Sequence, residues 1–375
     1  MIPVSKPLLS ISEINHIGKV FQTGWLGLGS ITKDFENRLK NYINSKNVIA
    51  TNTGTTAIHL AIDAYRIGEG DEVIVPSMTY AAGIQAIISS GATPVFVECQ
   101  KQNLLIDIND VKKKITEKTK AIMPVHYCGQ PCDMDELLDI GESKKIKIIE
   151  DAAHAIGSKY KRKNIGSFGH ATCFSFDPIK VITSGEGGAV STSDDELTSI
   201  MKRKRILGID KETWSRYNNK RKMFYDVVDS GYRYHMPNFC AAIGIEQLKK
   251  IDSFISKRKK ICKIYDNALK NLKNVKTLDI DYEFSAPFIY ILKIKNNLRP
   301  QFIKHLKKAD IDTAIHYIPN HYHSYFKKFF HSSLPITESV GKEIVTIPLF
   351  VELSQKQQKH IINSILEFDK SSQKH

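Results

Sequence analysis

The chain has 375 residues, of which 42% are apolar and 25% charged, and a formal net charge of +14. That length supports a large core and two domains, and the ordinary balance of apolar and charged residues excludes a disordered chain. No uninterrupted apolar stretch is long enough to cross a bilayer, and the start "MIPVSKPLLS" lacks the apolar core of an export signal, so the sequence reads as a cytoplasmic protein.

The basic excess is scattered, apart from the run "KRKR" at Lys202 to Arg205. With no nucleic-acid motif beside it, that run reads as a solvated helix face, and the charge suits a polyanionic small substrate. Of the six cysteines, Cys99, Cys128, Cys132, Cys173, Cys240 and Cys262, only Cys128 and Cys132 in "HYCGQPCD" lie close, and neither a second such pair nor a matching His pair follows. The expectation is reduced, buried thiols and no metal.

In chain order, the first half alternates Val- and Ile-rich runs with helical patterns. The runs are "KNVIATNT", "EVIVPS", "TPVFVEC", "AIMPVHY", "IKIIED", "ATCFSFD" and "GGAVSTS"; "TAIHLAIDAYRI" and "MDELLDIGESKK" are among the helices between them. Seven strands interleaved with helices predict an α/β layered domain with a largely parallel sheet. In such sheets ligands collect where the strands end.

The residues just past each strand are therefore the informative ones. "GTTAIHLAI" opens a helix with Gly54, Thr55 and Thr56, whose free N–H groups and hydroxyls suit a phosphate, although any helix cap looks similar. Tyr80 stands at the next helix entrance, either to stack on a planar ring or simply to pack. Asp151 ends "IKIIED", with His154 three residues on; it could pair with a protonated ring nitrogen or cap a helix. Lys180 lies between a strand and the turn "SGEGG", where backbone can approach a ligand closely. Together, a phosphate cradle, an aromatic, a carboxylate and a lysine on one sheet edge are the parts that hold pyridoxal phosphate, with Lys180 as the Schiff-base residue.

From about residue 246 the pattern changes. A helix "EQLKKIDSFISKRKKICKIYDNAL", a strand "FSAPFIYILKI" and a helix "PQFIKHLKKADI" predict a small C-terminal α/β domain, giving domains 1–245 and 246–375. The His-rich "IDTAIHYIPNHYHSYF" lacks fixed metal-ligand spacing.

The segments "NTGTTAIHLAI", "PSMTYAAGIQAI", "GATPVFVE", "MPVHYCGQPCDMD", "EDAAHAIGS", "FSFDPIKVITSGEGGAV" and "GYRYHMPNFCAAIGIEQL" resemble, in order, the motifs of the DegT/DnrJ family of pyridoxal-phosphate nucleotide-sugar aminotransferases. The likeness runs from "WLGLGSITKDFE" to "VTIPLF". It implies an aspartate-aminotransferase-like architecture, PLP fold type I. A large domain would hold a mostly parallel seven-stranded sheet, followed by the smaller C-terminal α/β domain.

The same resemblance implies residue roles. Lys180 binds the cofactor and shuttles the proton; Asp151 pairs with the pyridine nitrogen; Tyr80 stacks on the ring; His154 lies by the ring and its 3′-oxygen. Ser175, Thr55 and Thr56 hold the phosphate. Many family members carry G-x-N-x-R where this chain has "GYRYHM", so Arg233 stands for the Asn that reaches a neighbour's phosphate and His235 for the Arg. His316 and Tyr317 match positions that reach the sugar, often in the partner's site. The implied function is transfer of an amino group from L-glutamate to a nucleotide-linked keto-deoxysugar for surface glycan synthesis, by a homodimer. C4 amination of dTDP-4-keto-6-deoxyglucose is the leading expectation; C3 amination or a GDP- or UDP-linked sugar is the alternative. Sugar dehydration, which relatives perform with His at the lysine position, is disfavoured by Lys180, and a non-catalytic cofactor-binding regulator by Lys180, Asp151 and Ser175 together.

Overall fold

The computed structural model describes residues 1–210, 225–330 and 332–373. Two helices open the chain, α1 (Ile11–Gln22) and α2 (Ser30–Ile43). There follow β1 (Asn47–Thr51), α3 (Gly54–Ala64), β2 (Glu72–Pro76), α4 (Ala81–Ser89), β3 (Thr93–Val97), α5 (Ile108–Lys114), β4 (Thr119–Ile122), α6 (Met134–Lys144) and β5 (Lys147–Asp151). A short hairpin, β6 (Lys159–Tyr160) with β7 (Lys163–Asn164), precedes β8 (Ala171–Ser175), β9 (Gly188–Thr192) and α7 (Asp195–Lys204).

The seven Val- and Ile-rich runs form one sheet in the order β1-β9-β8-β5-β4-β2-β3. β9 is antiparallel to both its neighbours and the remaining pairings are parallel. Successive strand residues point to opposite faces. Val48, Ala50, Ile74, Ile122 and Ile148 accordingly enter one core, and Ile49, Val73, Val75, Ala121 and Ile149 another. Burial on both faces is why these strands read as continuous apolar runs, and each buried Val or Ile contributes roughly 1.5–3 kcal/mol.

This topology also explains where Lys180 lies. The parallel strands bring their carboxyl ends to one edge. Because β9 runs the other way, its start reaches that edge, and so does the connection from Phe176 to Gly187 that carries Lys180.

Beyond the sheet, α8 (Asn238–Leu248) packs against α1 and α2. The helix expected to begin at Glu246 is divided: Glu246 to Leu248 complete α8, and α9 (Ile251–Leu269) starts after a break. Lys250 fixes the break, its ammonium bonding Glu13 Oε1 at 2.6 Å and Ser10 Oγ at 2.7 Å. The C-terminal part holds β10 (Val275–Thr277), β11 (Tyr290–Ile294), α10 (Arg299–Lys308), α11 (Pro335–Glu343), β12 (Ile344–Ile347) and α12 (Gln355–Ser371). Its antiparallel sheet β10-β11-β12 shares a core with Tyr265, Phe302 and Ile365. Of the expected strand "FSAPFIYILKI", residues Tyr290–Ile294 form β11.

The "KRKR" run is only partly the solvated face expected. Lys204 and Arg205 are buried: Lys204 bridges Asp63 at 2.9 Å and Asp229 at 3.4 Å, and Arg205 Nη1 bonds Glu36 Oε1 at 2.5 Å and the Ala50 carbonyl at 2.9 Å. Carboxylates from α2 and α3 draw them inward, where ion pairing offsets the cost of burying charge. All six thiols are free and buried. Among the described residues no helix is long and apolar enough to cross a membrane, and no cluster of ligands could hold a metal.

Candidate active site

At the common strand edge lies a cavity of about 360 Å³, lined by Thr53, Gly54 and Thr55 after β1, Thr79 and Tyr80 after β2, and Asp151 and Ser175 at the tips of β5 and β8. The connection to β9 adds Asp177, Ile179, Lys180 and Glu186, while His316 and Tyr317 arrive from the C-terminal part.

The start of α3 forms one wall. Thr53 caps the helix, its Oγ1 accepting the Thr56 N–H at 3.1 Å, and Thr56 Oγ1 accepts the Thr53 N–H at 3.1 Å and donates to Asn52 Oδ1 at 2.7 Å. The Thr56 hydroxyl is thereby committed to the cap. Of the two threonines expected to hold a phosphate, Thr55 is exposed and lines the cavity, while Thr56 does not line it. The N–H groups of Gly54 and Thr55 have no acceptor among the described residues, as a helix start leaves them. A Cβ on Gly54 would lie 2.7 Å from Ser175 Cβ, so only glycine lets α3 abut Ser175 this closely. Two free N–H groups, a helix dipole and the hydroxyls of Thr55 and Ser175 make an anion cradle.

Asp151 is buried, with Oδ1 accepting the Ala153 N–H at 3.0 Å and no donor on Oδ2 among the described residues. Burial raises its carboxyl above the usual range, against the pull of Ala153 N–H and Lys180. Such a group needs a cationic partner, and a protonated ring nitrogen supplies one. A network that sequence reasoning missed holds it in place. The His126 N–H donates to the Asp151 carbonyl at 3.1 Å, while the His126 ring accepts the Cys132 N–H on Nδ1 at 3.1 Å and bonds buried Glu150 through Nε2 at 2.9 Å.

The Lys180 ammonium makes no hydrogen bond in the described residues and lies 4.3 Å from the centroid of the Phe288 ring. Burial pushes its amine down to about 8, despite the charges of Asp151 and Asp177. His154 lies against Phe288 with ring centroids 4.4 Å apart and the planes tilted by 33°, and bonds the Tyr317 hydroxyl through Nε2 at 3.0 Å; its buried Nδ1 has no partner among the described residues. Burial, then Lys180, holds His154 well below and His316 at about 4, so both are neutral at pH 7. Tyr80, exposed at the mouth, has its ring 5.5 Å from that of Tyr317.

His316 and Tyr317 line the cavity of their own chain, held in part by the Tyr127 hydroxyl, which donates to the His316 carbonyl. The resemblance left open whether they serve this site or a partner's. Arg233 and His235 do not line it: Arg233 is exposed, and His235 pairs through its backbone with Thr51. Phe288, Asp177 and Glu186 were not singled out from the sequence. The two carboxylates flank Lys180 in "DPIKVITSGE", a signal that was legible, whereas nothing local to Phe288 marks it.

The anion cradle, the unpaired buried carboxylate and the uncoupled lysine on one edge of this sheet fit pyridoxal phosphate, and define a PLP-dependent aminotransferase of fold type I. The profile of the DegT/DnrJ/EryC1/StrS aminotransferase family matches residues 8–366, and the chain belongs to that family. It is 36% identical over 370 residues to the GDP-perosamine synthase of Escherichia coli O157:H7, covering 98% of each chain. With the UDP-4-amino-4-deoxy-L-arabinose–oxoglutarate aminotransferase of Shewanella sediminis it shares 32% over 380 residues, covering 98% of this chain and 97% of the relative. Spr1654 of Streptococcus pneumoniae in its PMP form superposes with a TM-score of 0.93 at 30% identity, covering 99% of this chain and 100% of that one. Its PLP form gives 0.92 at 30% identity, with 99% of each chain covered. The protein is a PLP-dependent sugar aminotransferase.

Proposed function

We propose that the enzyme moves the amino group of L-glutamate to the C4 keto carbon of a nucleotide-linked 6-deoxyhexose, with dTDP-4-keto-6-deoxyglucose the leading substrate and a surface glycan the destination. The observation that carries the reading is Lys180, an amine with no hydrogen-bond partner among the described residues, held in one cavity with Asp151. The Shewanella relative's name specifies a 4-amino sugar and oxoglutarate, which supports C4 and a glutamate-type donor. The relatives' GDP and UDP groups keep those nucleotides, and C3 amination, as the alternatives.

Bound pyridoxal phosphate supplies an electron-accepting ring that makes the proton on an amine-bearing carbon removable. Lys180 Nζ, with its amine at about 8, carries that proton away from the donor carbon and returns one to the sugar carbon. Asp151 would keep a proton on the ring nitrogen, Tyr80 and His154 would flank the ring, and Ser175 and Thr55 would hold the phosphate. His316 and Tyr317 face the sugar. The cofactor-binding domain runs through α8, three residues past the expected boundary, and the small domain follows the break before α9.

Assembly is part of the same reading. Lys180 is the sole Lys or Arg lining the cavity among the described residues, yet a cofactor phosphate and a diphosphate must be neutralised. A two-fold homodimer that brings Arg233 or His235 to the neighbour's cavity answers that need. The test is the reverse reaction: 3-amino and 4-amino nucleotide sugars incubated with 2-oxoglutarate. Amine loss from the 4-amino sugar supports the assignment; loss from the 3-amino isomer alone overturns C4.

A further inference from the structure

Among the described residues the cavity holds three carboxylates, Asp151, Asp177 and Glu186, against one lysine. The neutral His154 and His316 do not offset them. Asp151 has a partner in the ring nitrogen, which leaves two carboxylates that the reaction does not use.

Their geometry makes them available. Asp177 closes the turn that leads into Lys180: its Oδ1 accepts the Ile179 N–H at 3.0 Å and its carbonyl the Lys180 N–H at 3.0 Å, leaving Oδ2 without a donor among the described residues. Glu186 fixes its backbone through the Ser184 hydroxyl, which donates to its carbonyl at 2.9 Å, while its carboxylate has no hydrogen bond or ion pair there. Glu186 is exposed at the cavity, and partial burial and then the charge of Asp177 push its carboxyl up.

Such a wall discriminates by charge. Glutamate and 2-oxoglutarate are dicarboxylates and are repelled by it. The hydroxyls of a pyranose carry no charge and donate to carboxylates, which are stronger acceptors than neutral groups. We propose that Asp177 and Glu186 form the hydroxyl-reading wall of the sugar subsite, selecting a hexose with a free hydroxyl beside the reacting carbon. A site built to bond a hydroxyl rejects the analogue lacking it far more strongly than an apolar pocket rejects an extra methylene. This inference rests on the sugar aminotransferase reading and adds which part of the substrate the wall meets.

The probes are glutamate and a 4-amino-4,6-dideoxyhexose carried on dTDP, GDP or UDP, whichever is turned over, with its 3-deoxy analogue. Asp177→Asn and Glu186→Gln are expected each to raise KM for the amino sugar on the order of tenfold, to lower KM for glutamate, and to leave the 3-deoxy analogue little changed. The same opposite shifts are expected in Kd measured by calorimetry on a Lys180→Ala background, where turnover stops. A folding defect moves both substrates the same way. KM values that rise together, or an unchanged amino-sugar KM in both variants, overturn the wall. Failure of the wild type with all three nucleotide sugars overturns the C4 6-deoxyhexose assignment and the wall with it.

Discussion

Replacing Asp151 by Asn separates the cofactor's needs from those of the fold. In the protein without cofactor, burial raises this carboxyl, so the unfolded chain releases the proton more readily as pH rises. The group therefore lowers stability above the ordinary carboxylate range, and Asn removes that cost while its Oδ1 can still accept the Ala153 N–H. With cofactor bound the sign reverses. Removing one partner of a buried ion pair costs roughly 3–5 kcal/mol, or on the order of 10²–10⁴ in affinity at about 1.36 kcal/mol per decade. Asp151→Asn is thus expected to lose cofactor on dialysis, read by absorbance, while its cofactor-free melting temperature stays level or rises. A variant that keeps cofactor with wild-type affinity refutes the assignment; a large fall in the cofactor-free melting temperature makes the effect structural.

The lowered Lys180 amine, at about 8, makes cofactor uptake pH-dependent. Because the neutral amine is the nucleophile, uptake should rise about tenfold per pH unit below that value and level off above it; a midpoint near 10 contradicts this. Arg205→Met leaves Glu36 buried without its guanidinium and should cost roughly 3–5 kcal/mol in denaturant unfolding, and a loss below about 1 kcal/mol contradicts the buried pair. Mixing inactive Lys180→Ala chains with inactive Arg233→Ala chains should restore activity in heterodimers. No recovery after verified subunit exchange counts against a shared site.

The sheet was legible because its strands are buried on both faces, and Asp151, Ser175 and Lys180 because they lie at or just past strand ends. The break at Lys249–Lys250 was not, since it depends on Lys250 reaching Glu13 and Ser10 across the fold. Burial of Lys204 and Arg205 likewise depends on Asp63, Asp229 and Glu36, residues remote in sequence. Thr56 shows the limit at short range: its hydroxyl can serve a cap or a phosphate, the sequence does not distinguish them, and in this structure it bonds Thr53 and Asn52. Phe288 enters beside Lys180 from a segment about a hundred residues on, where local sequence reads only as strand.

Amino transfer to a nucleotide-linked sugar through Lys180 is tested most directly by isotope. The holoenzyme is incubated with ¹⁵N-glutamate and the 4-keto-6-deoxyhexoses of dTDP, GDP and UDP, and the label is followed by mass spectrometry. The expected result is ¹⁵N in one amino-sugar product with wild-type protein and none with Lys180→Ala. Label transfer by Lys180→Ala at the wild-type rate contradicts the role of Lys180, and none from the wild type to any of the three sugars contradicts the C4 6-deoxyhexose assignment.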